Sequence, residues 1–161
     1  MPLTPLHPGS ALILGVLFPK FFNLWALFLG STVMDVEPVV GIILTGYSYH
    51  GFLHTILGAI SGSLLVAVIL WQFRRELNNI SLKLKLRQFF SFPALFFSAL
   101  VAWLIHIFFD SLSHADVLPF WPSERNPILI GHTAYWPSSL ILLTLLIAAL
   151  IIIIKKRQSY A

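Results

Sequence analysis

Three stretches of the chain run for about 20 residues with no formal charge other than histidine: His54 to Phe73, Phe89 to Phe109 and Tyr135 to Ile154. A helix rises about 1.5 Å per residue, so a run of that length crosses the hydrocarbon core of a bilayer, and each predicts a membrane-spanning helix. Upstream the pattern is interrupted. Pro19 and Lys20 divide the apolar stretch from Pro8 to Met34, because proline inside a helix removes a backbone hydrogen bond and clashes with the preceding turn. Two segments are predicted there, one from Pro8 to Phe18 and one from Phe22 to Val36. The first is too short to cross fully unless the bilayer thins or other helices flank it. Pro38 predicts the end of the second, and Val39 to Thr45 reads as a re-entrant piece or an extension of it. The expected architecture is an all-α, polytopic membrane helix bundle of about five hydrophobic segments, the first short, in a single integral membrane domain over residues 1–161.

Composition supports that solvent. Of 161 residues, 58% are hydrophobic and 10% charged, more apolar surface than one small core can hide. The net charge of +4 at first suggests a nucleic-acid partner, but eight of the ten basic residues form two clusters directly after apolar runs. These are Arg74, Arg75, Lys83, Lys85 and Arg87, then Lys155, Lys156 and Arg157. That is a topology signal: a basic cytoplasmic loop over 74–88, a cytoplasmic C-terminus and an outside N-terminus, with no nucleic acid involved. Lys20 falls in an inner turn on this thread. The connection 115–136 becomes an extracytoplasmic loop rich in proline and aromatic residues, long enough for a lid, although Trp121, Tyr135 and Trp136 suit an interfacial aromatic belt better. The alternation from Ile80 to Leu86 predicts a short strand or an interfacial segment with snorkelling lysines. With no cysteine, disulfides, thiolate metal sites and cysteine nucleophiles are excluded. No basic stretch and cleavage site mark a removable leader, so His7 is expected to persist.

The same thread brings the unusual polar residues to one face: His7, Asp35, Glu37, His50, His54, His106, Asp110 and His114. His50 and His54 are four apart, which on a helix sets both imidazoles on one side, about 40° apart. A metalloprotease His-Glu-x-x-His would need glutamate where this chain has Gly51, so that reading is poor while metal binding survives. His106, Asp110 and His114 repeat the spacing if their helix passes Ser111; the plainer alternative is that His106 and Asp110 pair with each other. Asp35 and Glu37 end an uncharged segment, where each acid at bilayer depth costs about 2.5–3.5 kcal/mol; the bland reading places them in wet headgroup. Up to five histidines and three carboxylates are about twice what one four-coordinate zinc uses. One or two divalent transition-metal ions are therefore expected, zinc first, with manganese, iron or nickel compatible and iron–sulfur or Cu(I) not. Two ions about 3.5–4 Å apart suit hydrolysis of a phosphate ester.

The runs SALILG…LGSTVMDVEP, YHGFLHTILG and HIFFDSLSHADVLPFWP resemble the small membrane-bound, metal-dependent hydrolases that include the LexA-binding inner-membrane-associated group, especially archaeal-looking members. The similarity covers nearly the whole chain. The family's polar signature falls here on Asp35, Glu37, His50, His54, His106 and Asp110, and His7, His114 and Asp116 also fall on its pattern. Met34, Glu37 and Gly51 depart from the Pro-Asp-x-Asp motif and the basic residue within the histidine motif that many members carry. The resemblance implies an inner-membrane enzyme. The expected function is a metal-dependent hydrolase of a membrane-associated ester, a phospholipid or isoprenoid phosphate, working on the extracytoplasmic side through metal-activated water. Asp35, His50, His54, His106 and Asp110 would be ligands, Glu37 a bridging ligand or base, His7 and His114 further ligands or their support, and Arg125 a phosphate contact or a solvated side chain. The rival expectation is a metal-ion or proton-coupled transporter, since buried histidines and acids also mark ion pathways. A noncatalytic scaffold tied by metal is a third. Bilayer lipid and a lipid-like substrate are the expected partners.

Overall fold

The computed structural model describes residues 6–86 and 88–159, and those residues are all-helical, with no strand among them. Helix α1, Pro8–Leu17, opens with proline at its first position, where the missing N–H costs nothing. After the turn at Pro19, α2, Leu24–Gly30, is capped by Asn23, whose Oδ1 accepts from the Trp25 and Ala26 amides at 3.0 and 3.2 Å. The chain then breaks at Ser31 and Thr32, passes through a 3-10 turn, Val33–Asp35, and resumes as α3, Val36–Thr45. Pro38 was expected to end this segment; it lies instead in the first turn of α3, where proline is tolerated, and the interruption falls seven residues earlier, at Ser31. Leu24–Thr45 as a whole is 22 residues and apolar enough to cross a membrane.

Helix α4, Ile56–Gln72, is capped by Thr55 Oγ1 accepting from the Gly58 amide at 2.9 Å. It turns by 75° into α5, Arg74–Lys83. The alternating segment from Ile80 is thus mostly helical: Ser81 faces inward, where its Oγ accepts from Trp25 Nε1 at 2.8 Å, and the lysines point outward. Helices α6, Phe92–Ser113, and α7, Tyr135–Ser159, complete the bundle. Three stretches are long and apolar enough to cross a membrane, Leu24–Thr45, Phe92–Ser113 and His132–Lys156, and α4 with α5 makes a fourth if the bent pair counts as one span. The ten-residue α1 lies against α7 and α2.

Close helix approach holds these spans together, because lipid supplies no hydrophobic drive between them. Helix α4 packs along α6 with Gly62 under the buried ring of Trp103, and α2 crosses α6 with Gly30 against the backbone of Ala99; a Cβ at either glycine would overlap those atoms. Outside, Ile43, Leu44 and Leu140 stand exposed, the surface a bilayer would cover. Successive spans alternate direction, α2 and α3 together making one of them and α5 bending off α4. His7, Asp35, His54 and Asp110 therefore meet at one end of the bundle, and Lys20, α5 and Lys156 at the other. Arg87 and the side chain of Arg157, both in the basic clusters, lie outside the described residues.

Candidate metal centre

Asp110, one turn from the end of α6, is the hub. Four imidazoles from three separate segments close on its carboxylate. His7 Nε2 lies 3.2 Å from Oδ1, while His106, His54 and His50 place Nε2 at 3.0, 3.7 and 3.9 Å from Oδ2. His106 sits one helical turn before Asp110 and also comes within 3.4 Å of Asp35 Oδ1. The His7 ring stacks on that of His106, centroids 3.8 Å apart. All except His50 are nearly sealed from solvent, with His54 at 0% and His106 at 1% exposure.

Outer partners set which nitrogen of each ring faces the hub. His106 Nδ1 donates to the Ser31 carbonyl at 2.8 Å, so its Nε2 turns toward Asp35 and Asp110. His54 Nδ1 donates to Glu37 Oε2 at 3.0 Å, leaving a buried Nε2 without a hydrogen-bond partner. Burial outweighs that Glu37 bond and holds the His54 pKa below the ordinary histidine value, so the ring stays neutral. The lone pair of the neutral His54 ring, aimed at the Asp110 carboxylate, is repelled unless a cation sits between them, whereas His106 Nε2 hydrogen-bonds directly to Asp110 Oδ2 at 3.0 Å, the pairing the sequence also allowed. A tetrahedron with bonds of roughly 2.0–2.1 Å has edges of roughly 3.3–3.5 Å; three of the six donor separations here are 3.0, 3.4 and 3.7 Å, and all fall within 4.8 Å. Asp35, His54, His106 and Asp110 form a buried group that can hold a metal ion.

A second group, His50, His114 and Asp116, adjoins it nearer the surface. His50 Nδ1 and its backbone amide both reach Asp116 Oδ2, at 2.8 and 3.0 Å. Burial opposes ionisation of Asp116, but the His50 hydrogen bond prevails and lowers its pKa. Burial pushes His114 down to about 4, which leaves a neutral ring at physiological pH, and its Nε2 has no hydrogen-bond partner.

Several expectations change in detail. His50 and His54 do not share a helix face, because α4 starts only at Ile56 and His54 closes a 3-10 turn; they meet through the turn, ring centroids 4.6 Å apart. The stripe from His106 stops at Asp110, since α6 ends at Ser113 and His114 is extended; its ring reaches His50 instead, at 4.8 Å. Glu37 belongs to neither metal-holding group: its oxygens accept from the Gly51 and Leu53 amides at 3.0 and 2.8 Å and from His54, so it orders the 51–54 turn. Sequence reasoning missed two supports, the Ser31 carbonyl and Trp103, whose Nε1 donates to the Leu53 carbonyl at 2.7 Å. Neither leaves a motif. Asp116 as the partner of His50 was foreshadowed only by the family pattern.

No curated protein and no solved structure matches this chain. A family model does, from residue 3 to residue 161, and its inner-membrane description agrees with the spans described above. The chain belongs to the YdjM inner membrane protein family.

Proposed function

We propose that this protein is a metal-dependent hydrolase of a membrane-associated ester, a phospholipid or an isoprenoid phosphate. The observation that supports this reading best is the buried quartet of Asp35, His54, His106 and Asp110, whose donor atoms all lie within 4.8 Å of one another. A bound divalent ion, zinc first, would supply Lewis-acid chemistry and activate water at neutral pH. A second ion would be held by His50, His114 and Asp116, which adjoin the buried quartet through the approach of His50 to Asp110. Glu37 acts here as a positioning residue, orienting His54 through Nδ1 and keeping Nε2 available as a donor. Around this end Tyr47, Phe52, Trp121 and Trp136 stand exposed, a rim suited to the interfacial part of a lipid-like substrate.

The test is hydrolysis of short-chain phospholipid and isoprenoid phosphates by purified protein of measured metal content. Activity that rises with added zinc and disappears with chelator supports the reading; a metal-replete protein inert on both classes overturns it. Glu37→Gln keeps the shape but weakens the hydrogen bond to His54, and its metal affinity is expected to fall about 10–100-fold by competition with a fluorescent chelator. An unchanged affinity removes Glu37 from the positioning role.

We further propose that the metal end is extracytoplasmic and the basic end cytoplasmic, as the positive-inside bias indicates. The chain has no cysteine, so single cysteines can report sidedness. Ser123→Cys is expected to react with a membrane-impermeant maleimide on spheroplasts, and Asn79→Cys only after lysis. The opposite pattern inverts the assignment.

A further inference from the structure

At the far end of the bundle from the histidines, a cavity of about 540 Å³ opens between the turn after α1, the end of α5 and the end of α7. Three lysines far apart in sequence, Lys20, Lys85 and Lys156, line it. Among the described residues no carboxylate does, and Glu76, the acidic residue of α5, is not part of its wall. The Lys156 ammonium is held in that wall by donating to the Val16 carbonyl. All three lysines are exposed, and three positive charges at the mouth of one concave, partly apolar site draw an anion to it.

Lys85 adds an independent observation. Helix α5 ends in a pair of hydrogen bonds, Lys85 N to the Leu82 carbonyl at 2.9 Å and Leu86 N to the Ser81 carbonyl at 2.8 Å. In that termination the residue after the cap takes a left-handed conformation and is usually glycine. Here it is lysine, at φ 57°. A side chain retained where the backbone favours none points to a use for that side chain.

The cavity also has a tail. A second groove of about 250 Å³ shares Leu24, Leu86, Gln88 and Ile153 with it and continues along Leu12, Trp25 and Phe28. Apart from Gln88, every residue lining that groove is apolar. A basic head compartment joined to an apolar trough has the shape and polarity of one amphiphile.

We propose that this end of the bundle binds an anionic phospholipid, its phosphate among Lys20, Lys85 and Lys156 and one acyl chain along Trp25 and Phe28. The site is separate from the metal centre and needs no hydrolysis. Basic pockets between membrane helices recognise phosphate headgroups in this way, each lysine contributing about fivefold in affinity.

Purified protein is reconstituted in phosphatidylcholine vesicles containing a minor fraction of phosphatidylglycerol with brominated acyl chains, and tryptophan quenching is compared with vesicles whose brominated chains are carried by phosphatidylcholine. The expected result is a preference for phosphatidylglycerol of about tenfold or more, lost in Trp25→Phe because the quenched reporter is gone, and reduced by salt. Lys85→Gly separates a binding role from a structural one: it relieves the left-handed backbone, so thermal stability should hold or rise, while the preference falls about fivefold. Equal quenching by the two lipids overturns the proposal, as does a preference untouched by Lys85→Gly and by the Lys20→Gln, Lys156→Gln pair. Displacement of the brominated lipid by millimolar inorganic phosphate would mean that a free anion is the ligand, and would also overturn it. Should the paired variant not fold, the salt dependence and Lys85→Gly in the intact protein decide alone.

Discussion

Asp110→Asn is expected to strip the metal from the purified protein. The substitution keeps size and shape but removes the charge on which His7, His50, His54 and His106 converge. Tight four-ligand zinc sites bind with about 10–16 kcal/mol, so removal of one charged donor of four should weaken affinity by about a hundred- to a thousand-fold. The loss reaches further, because Asp110 is also the carboxylate that faces His7, at 3.2 Å, and His7 has no hydrogen-bond partner at either ring nitrogen. The measurement is elemental analysis beside thermal unfolding, with His132→Gln as control, since His132 is exposed and outside both metal-holding groups. Retention of stoichiometric metal by Asp110→Asn, or its loss from His132→Gln, would dismiss the buried quartet as the binding site.

Gly62→Val is expected to cause a large loss of stability. A Cβ at this position would overlap the Trp103 ring, and Trp103 is both buried and hydrogen-bonded to the Leu53 carbonyl. Overpacking costs about 1–3 kcal/mol, and breaking the indole bond adds about 1 kcal/mol. The apparent Tm in detergent should fall by several degrees, and metal content should fall with it, because Leu53 adjoins His54 and Trp103 holds that turn in place. Combining Gly62→Ala with Trp103→Phe should restore part of the loss relative to the sum of the two single variants, as expected of residues in direct contact. Strict additivity would place the cause elsewhere than this contact.

The long spans were legible because hydrophobic length alone marks a membrane helix, and α6 and α7 follow their predicted stretches to within a few residues at most ends. The convergence of His7, Asp35, His54, His106 and Asp110 was legible too, since alternation of direction brings helix ends together whatever the side-chain detail. Local geometry was not. The 3-10 turn that ends at His54 and the extended backbone at His114 interrupt two helical spacings that composition gives no reason to doubt. Glu37 shows the limit most clearly: a carboxylate near four histidines looks like a ligand in sequence, and only its bonds to the Gly51 and Leu53 amides show it ordering a turn. Likewise the Ile80 to Leu86 alternation matched a strand by period, but the bond from Trp25 to Ser81 is compatible with one buried helical face.

The interruption after α2 has a further consequence. In an unbroken helix the Ser31 carbonyl would accept from the amide four residues on, that of Asp35; instead the Asp35 amide turns to the Thr32 carbonyl at 3.2 Å. That detour liberates an oxygen deep in the protein, and His106 takes it. Straightening this segment, as a stabilising redesign would naturally attempt, would therefore reclaim the acceptor that dictates which way the His106 ring faces, and a better helix would make a poorer ligand.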